Sequence, residues 1–124
     1  MKDLIMILSG ISGGLSVVLG AFGAHGLKNK ITPEMLAVFK TGVDYQFYHS
    51  IALALVGLSL IAQGVDESRF LIWAFVCFSI GIVFFSGSLY LLALTRKKIF
   101  GPITPLGGLF FILGWLSFTL HWVN

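Results

Sequence analysis

Long apolar stretches fill almost the whole chain, and the few charged residues lie between them. Each stretch has at least the roughly 20 residues that a helix needs to cross about 30 Å of hydrocarbon. None of them keeps the polar face that a helix in water requires. The stretches without Asp, Glu, Lys or Arg are residues 4–27, 45–65, 70–95 and 99–124. The pattern predicts an all-α membrane protein, a compact bundle of four transmembrane helices at about 4–25, 43–63, 70–95 and 104–123.

The composition supports one membrane domain over residues 1–124. Mean hydropathy is +0.98, and only 10% of the residues are charged, which leaves little soluble mass. The net charge of +3 would favour nucleic acid as a partner of a soluble protein. Here the basic residues lie in short loops beside membrane spans, so we predict membrane lipids as partners and no nucleic acid. The single cysteine, Cys77, allows no disulfide within the chain and is expected to be a buried apolar residue.

Basic residues predict the orientation of the spans in the membrane. They cluster after the first and third stretches, whereas the opposite side has only Lys2 and Arg69, offset by acidic neighbours. The positive-inside rule therefore predicts cytoplasmic basic loops and two extracytoplasmic termini. Near the surface each basic side chain attracts anionic headgroups by on the order of 1 kcal/mol. The predicted anionic-lipid contacts are Lys28, Lys30, Arg96, Lys97 and Lys98.

The first stretch resembles a signal peptide in part, but its apolar run is too long for a typical signal core, so we expect a retained helix. Its small residues indicate close helix packing, either within the bundle or in a homo-oligomer or with a partner membrane protein. Ser12, Ser16, Gly20 and Ala24 form one ridge, and Gly10 with Gly14 lies on a neighbouring face.

Residues 33–41 leave two interpretations open. Thr32-Pro33-Glu34 is typical of a helix start, and apolar residues follow at helical spacing. The segment is either a short amphipathic helix at the membrane interface or the beginning of one long helix that continues to about residue 62, with Gly42 as the position where a bend costs least. Thr104-Pro105 resembles a second such start, which indicates two related helical hairpins unless the likeness is chance.

Polar side chains at membrane depth usually face the bundle interior, and here all of them fall in the half next to the basic loops. The candidate ligand-binding residues are His25, Asp44, Tyr45, Gln46, His49, Ser86, Ser88 and Tyr90. We expect an inward-facing polar pocket that binds a lipid, a small amphiphile or a partner helix. Asp44 has two candidate ion-pair partners, His25 on a neighbouring helix and Lys40 one turn earlier on its own helix. Two alternatives are a structural hydrogen-bond clamp and a small proton-coupled transporter or channel, the latter needing a polar route through the other half.

Catalytic and metal-binding motifs are not found. The histidines, His25, His49 and His121, include no pair at the i, i+4 spacing that puts two ligands on one helix face. The glycine-rich segment 20–26 closes an apolar helix and follows no strand, so it does not predict a nucleotide site. We predict no metal, no cofactor and no enzymatic activity.

Four segments of the chain form a distinctive set in this order: Gly20-Ala21-Phe22-Gly23-Ala24-His25-Gly26-Leu27, Tyr45-Gln46 with His49, Phe85-Ser86-Gly87-Ser88-Leu89-Tyr90, and Ile103-Thr104-Pro105-Leu106-Gly107-Gly108 followed by Gly114-Trp115. Together they resemble the DUF423 (UPF0382) family of small bacterial inner-membrane proteins. The resemblance covers nearly the full chain and implies a four-helix protein of the prokaryotic plasma (inner) membrane. It implies no activity and gives no role to the candidate residues.

Overall fold

A computed structural model describes residues 1–124; it consists of helices joined by short loops and contains no strand. Four helical segments are long and apolar enough to cross a membrane, so the predicted fold class is confirmed. The third of them is continuous but changes its winding at a π-helical segment. The elements are α1 (Lys2–His25), α2 (Pro33–Gln63), α3 (Arg69–Gly81), the π segment (Ile82–Ser86), α4 (Gly87–Thr95), a 3₁₀ turn (Lys98–Phe100) and α5 (Ile103–Val123).

Residues 33–41 belong to one long helix and do not form a separate interfacial helix. The Thr32 hydroxyl accepts a hydrogen bond from the Met35 backbone N–H at 3.2 Å, and Pro33 occupies the first turn. The helix continues for 31 residues until Gly64, whose φ of +65° ends it in the left-handed conformation. At 1.5 Å per residue α2 is about 46 Å long, so it tilts or extends beyond a hydrocarbon core of about 30 Å.

The fourth helix, α5, begins at Ile103, one residue before the predicted start at Thr104-Pro105. The predicted N-cap role of Thr104 is wrong, because Pro102 occupies the N-cap position and makes no side-chain cap. Thr104 therefore lies inside the helix, and its hydroxyl is within 2.6 Å of the Ser88 hydroxyl. Thr104-Pro105 thus resembles Thr32-Pro33 in sequence, but the two threonines have different positions relative to their helices.

The helices pack as two pairs, α1 with α2 and the third span with α5, and α2 joins the pairs by packing against α4 and the π segment. Loops 26–32 and 96–102 lie at one end, here called the basic end; Met1, Asn124 and loop 64–68 lie at the other, the terminal end. The main apolar cluster is Ile5, Ala52, Leu53, Val56, Leu60, Leu71, Ala74, Phe78 and Phe111. A smaller cluster of Leu27, Phe39 and Ala93 is also buried.

Small residues make the closest approaches between helices. Gly107 of α5 lies directly against the backbone of the π segment, where an added Cβ would be 2.7 Å from Phe85 Cα. On α1, Gly20 and Gly23 face α2, whereas Gly10 and Gly14 have no atom within 4 Å of an added Cβ. The predicted ridge thus packs against α2 at Gly20, whereas the neighbouring Gly10–Gly14 face is open.

Candidate functional site

The eight candidate residues do not converge on one pocket. Gln46 is the centre of a first group, because its Nε2 donates to the Ser12 carbonyl at 2.9 Å and its Oε1 accepts from the Tyr90 hydroxyl at 2.6 Å. Ser50, one turn along α2, donates to the Ser12 hydroxyl or the Gln46 carbonyl, at 2.7 and 2.6 Å. This group, here called the Gln46 cluster, joins α1, α2 and α4 by hydrogen bonds.

The two candidate serines of the third span, Ser86 and Ser88, also hydrogen-bond to other helices. The fully buried Ser86 hydroxyl donates to the Gly42 carbonyl of α2 at 2.6 Å. Ser88 shares a hydrogen bond with Thr104 of α5 at 2.6 Å. Each hydroxyl is therefore already engaged between helices, as the clamp hypothesis requires at these positions.

His49 lies on an adjacent face of α2 and points to α5. Trp115 Nε1–H donates to His49 Nε2 at 3.1 Å, so Nε2 must be the unprotonated nitrogen. The proton is then on Nδ1, which donates to the Tyr45 carbonyl at 2.8 Å. The ring stacks on Phe111 with centroids 3.5 Å apart and planes 9° apart. His49 is only 5% exposed. Both of its ring nitrogens and one face of its ring are thus occupied by contacts within the protein. Sequence reasoning gave Trp115 no role, since an aromatic residue in an apolar helix carries no such signal.

A lateral groove of about 600 Å³ opens beside His49, between α2, the π segment and α5. Tyr45 and His49, four residues apart on α2, share this face, and their ring centroids are 6.0 Å apart. Gln46, three residues before His49, belongs to the other face. The lining residues are Tyr45, His49, Phe85, Pro105, Gly108, Leu109, Phe111, Ile112 and Trp115.

A second cavity, here called the basic-end cleft, lies between α1 and α2 and measures about 400 Å³. Its apolar lining is Gly20, Gly23, Ala24, Leu36, Phe39 and Val43. Lys28, Lys40 and Asp44 supply three charges to the lining. The one ion pair within 4 Å in the structure lies elsewhere.

The expected pairing of Asp44 with His25 or Lys40 is therefore wrong. His25 is exposed at the end of α1 and lines none of the main cavities. Lys40 is one turn before Asp44 but is itself exposed and does not approach the carboxylate to within 4 Å. Asp44 is thus half-buried in an apolar cleft without a charged partner.

The remaining predicted lipid contacts lie at the basic end. Lys30 and Arg96 line a shallow cleft of about 370 Å³ between the α1–α2 loop and the end of α4. Arg96 has a φ of +58°, which ends α4 in the left-handed conformation. Lys97 and Lys98 are exposed nearby. All five predicted basic residues are thus at the same end of the bundle.

One ion pair and two hydrogen bonds of His121 are found at the terminal end. Lys2 Nζ lies 3.0 Å from the Asp66 carboxylate, and this ammonium lowers the pKa of Asp66 below its ordinary value. His121 contacts Gln63 Nε2 at 2.7 Å and the Ser68 hydroxyl at 3.0 Å, which ties the end of α5 to the α2–α3 loop. His121 is therefore remote from the other two histidines.

Comparison with known proteins identifies close relatives over most of the chain. A family model described as "Protein of unknown function (DUF423)" matches residues 19–108. A UPF0382 membrane protein of Staphylococcus haemolyticus is 44% identical over 113 residues, which are 91% of this chain and 89% of that protein. The UPF0382 membrane protein YwdK of Bacillus subtilis is 46% identical over 112 residues (90% and 89%).

The relatives also include the UPF0382 inner membrane protein YgdD of Escherichia coli, 40% identical over 111 residues (90% of this chain, 82% of that protein). No solved structure matches significantly. The names of these relatives describe membrane proteins and state no activity. The four spans and these matches, which cover about nine-tenths of the chain, lead to one conclusion: the chain is an integral membrane protein that belongs to the DUF423 (UPF0382) family.

Proposed function

We propose that the protein resides in a bacterial inner membrane with its basic end in the cytoplasm and both termini outside. The lysines and arginine of loops 26–32 and 96–102 support this orientation through the positive-inside rule. A Cys77→Ser background that carries either Lys97→Cys or Asn124→Cys provides the test. A membrane-impermeant maleimide should label position 124 and spare position 97 in spheroplasts with an intact inner membrane. The reverse labelling would overturn the proposed orientation.

We propose further that the protein binds a phospholipid in the basic-end cleft. The observation that carries this proposal is the amphipathic lining, an apolar floor with two lysines and one carboxylate that form no ion pair. Lys28 and Lys40 are suited to a headgroup phosphate, since an ammonium–phosphate hydrogen bond is charge-assisted. The floor at Gly20, Gly23 and Phe39 suits the start of an acyl chain, which distinguishes a lipid from free phosphate.

Asp44 gives the proposed site a headgroup preference. A carboxylate beside a bound phosphate repels it, unless the headgroup also carries a cation that the carboxylate attracts. Phosphatidylethanolamine has such an ammonium group, and phosphatidylglycerol does not. The three charges of the cleft therefore favour the zwitterionic lipid, with the phosphate on the lysines and the amine on Asp44.

Native mass spectrometry of protein released from nanodiscs of phosphatidylethanolamine and phosphatidylglycerol tests the binding. At about 1 kcal/mol per basic residue, Lys28→Ala/Lys40→Ala should lose about 2 kcal/mol, or roughly 30-fold in affinity. Lys97→Ala/Lys98→Ala removes the same charge outside the cleft and serves as the matched control. Equal loss of retained lipid in the two double variants would mean that Lys28 and Lys40 attract lipid only as general surface charges. That result would refute a specific site in the cleft.

Asp44→Asn separates the headgroup preference from binding itself. The variant should retain more phosphatidylglycerol relative to phosphatidylethanolamine than the wild type, because repulsion of the anionic lipid is removed. An unchanged ratio would contradict the role of Asp44. Proton-coupled transport, the alternative function, stays a prediction that proton flux into proteoliposomes tests with the same variant.

A further inference from the structure

The lateral groove beside His49 is lined by aromatic rings and contains no charged residue. Tyr45 and Phe85 have ring centroids 4.6 Å apart, and Phe111 is stacked against the His49 ring at 3.5 Å. Trp115 flanks the same groove and packs edge-on against Phe78 at 5.1 Å. The rings support one another, so the groove has fixed walls.

Most polar atoms of the lining are already used within the protein. His49 binds the Tyr45 carbonyl and Trp115 through its two ring nitrogens, and the Trp115 N–H is thereby engaged as well. The Tyr45 hydroxyl, by contrast, makes no hydrogen bond within the chain. Because 40% of Tyr45 is exposed, a ligand can reach this residue from the groove. The groove thus offers an occupant flat aromatic surfaces and one hydrogen-bond donor.

The position of the groove restricts which molecules can enter it. His49 lies 14 residues before Gln63 along α2, about 21 Å at 1.5 Å per residue, and so is well inside the spanning segment. A charged ligand at that depth has a high desolvation cost and would find no counter-charge in the lining. A neutral molecule dissolved in the bilayer can instead enter laterally between α2 and α5.

We propose that this groove binds a neutral, lipid-soluble quinone. Its flat ring lies against the aromatic wall, one ring carbonyl accepts a hydrogen bond from the Tyr45 hydroxyl, and its apolar tail follows Leu109 and Ile112 into the lipid. The proposal concerns binding alone and includes no redox step. It is independent of the phospholipid site, which lies between α1 and α2 and has no lining residue in common with the groove, so either site can fail without the other.

Trp115 fluorescence in nanodiscs tests the proposal, in a Trp73→Phe/Trp122→Phe background that leaves Trp115 as the only tryptophan. Decylubiquinone is the probe, because quinones quench indole fluorescence. The expected result is saturable quenching at a quinone-to-protein ratio near one. Quenching that rises linearly with the quinone content of the bilayer, without saturation, would show partition only and overturn the proposal.

Variants of two tyrosines localise the binding. Tyr45→Phe keeps the ring and removes the hydroxyl, and it should raise the apparent Kd about 3- to 10-fold. Tyr48→Phe makes the same change on an exposed ring that does not line the groove, and it should leave the Kd unchanged. Equal effects of the two substitutions would refute the assigned hydrogen bond.

Gly108→Leu tests the groove by filling it. An added Cβ there meets Phe85 side-chain atoms only at 3.7 and 3.8 Å, which is ordinary contact, so the larger side chain has room to extend into the groove. Saturable quenching should disappear while retention of phospholipid by the basic-end cleft is preserved. Saturation that persists in Gly108→Leu would place the quinone elsewhere and overturn the proposal.

Discussion

Gly107 allows α5 to approach the π segment more closely than any larger residue would permit. A Cβ at this position would lie 2.7 Å from Phe85 Cα and 2.8 Å from the Phe84 carbonyl carbon. These are backbone atoms, so no rotation of a side chain can relieve the contact. Gly107→Ala must therefore move α5 away from the third span or distort the π segment.

The expected change in the free energy of unfolding caused by Gly107→Ala follows from two opposing effects. Overpacking of a close contact costs about 1–3 kcal/mol, and replacing a helical glycine by alanine gains up to about 1 kcal/mol in helix propensity. At Gly107 the steric cost should win, with a net loss of about 1–2 kcal/mol. At the neighbouring Gly108 the same change meets only ordinary contact at 3.7 Å, so it should be neutral or slightly stabilising.

Steric trapping in bicelles measures reversible unfolding, and it compares the free energies of unfolding of Gly107→Ala and Gly108→Ala directly. Both changes add one methyl group to adjacent residues of the same helix, so propensity and hydrophobicity are matched. Free energies of unfolding that agree within about 0.5 kcal/mol would refute the reasoning. They would mean that the helices adjust without cost and that the close approach does not define the bundle.

Three further predictions follow from individual contacts. Trp115→Phe leaves His49 Nε2 without its donor in a nearly buried site, and unfolding in bicelles should show a loss of about 1–3 kcal/mol; no loss would refute the bond. Gln46→Leu should cost about 0.6–1.7 kcal/mol in the same assay, the range of hydrogen bonds between membrane helices, and a stabilised variant would contradict its role. Lys2→Met should raise the pKa of Asp66 in carboxyl NMR titrations, because the ammonium that lowers this pKa is removed. In the wild type the lowered pKa contributes stability above the unfolded pKa, and this stability is lost as the pH falls through the folded pKa. An unchanged pKa in the variant would refute the ion pair.

The spans could be predicted from sequence because a bilayer imposes length and composition on a helix. The predicted span 4–25 corresponds to Lys2–His25, and 70–95 to the continuous helix from Arg69 to Thr95. Helix α2 is the exception, since hydropathy detects its apolar part from about residue 43 but not its first ten residues. Continuity there depends on helix signals at Thr32 and Gly64 and on the absence of any break between them.

The arrangement of the candidate site could not be predicted in the same way. Gln46 and His49 are three residues apart, but one meets Ser12 and Tyr90 while the other meets Trp115. Which neighbour each side chain meets depends on how α1, α4 and α5 are placed around α2, and helical spacing carries no information on that placement. The π segment adds a local change of winding that no residue pattern in the third stretch indicates.

The clamp and the binding pocket need not be competing explanations of the same polar residues. Inside a bilayer a polar group without a partner is costly. Gln46, Ser50 and Ser86 hydrogen-bond to other helices, which is a sufficient structural reason for their presence. That reason does not extend to the Asp44 carboxylate, which forms no ion pair, or to the Tyr45 hydroxyl, which has no hydrogen-bond partner. These two groups line different cavities, and each cavity is the site of one of the two binding proposals. The polar atoms that the fold leaves unused, and not the polar residues as a set, are therefore where ligand binding should be sought.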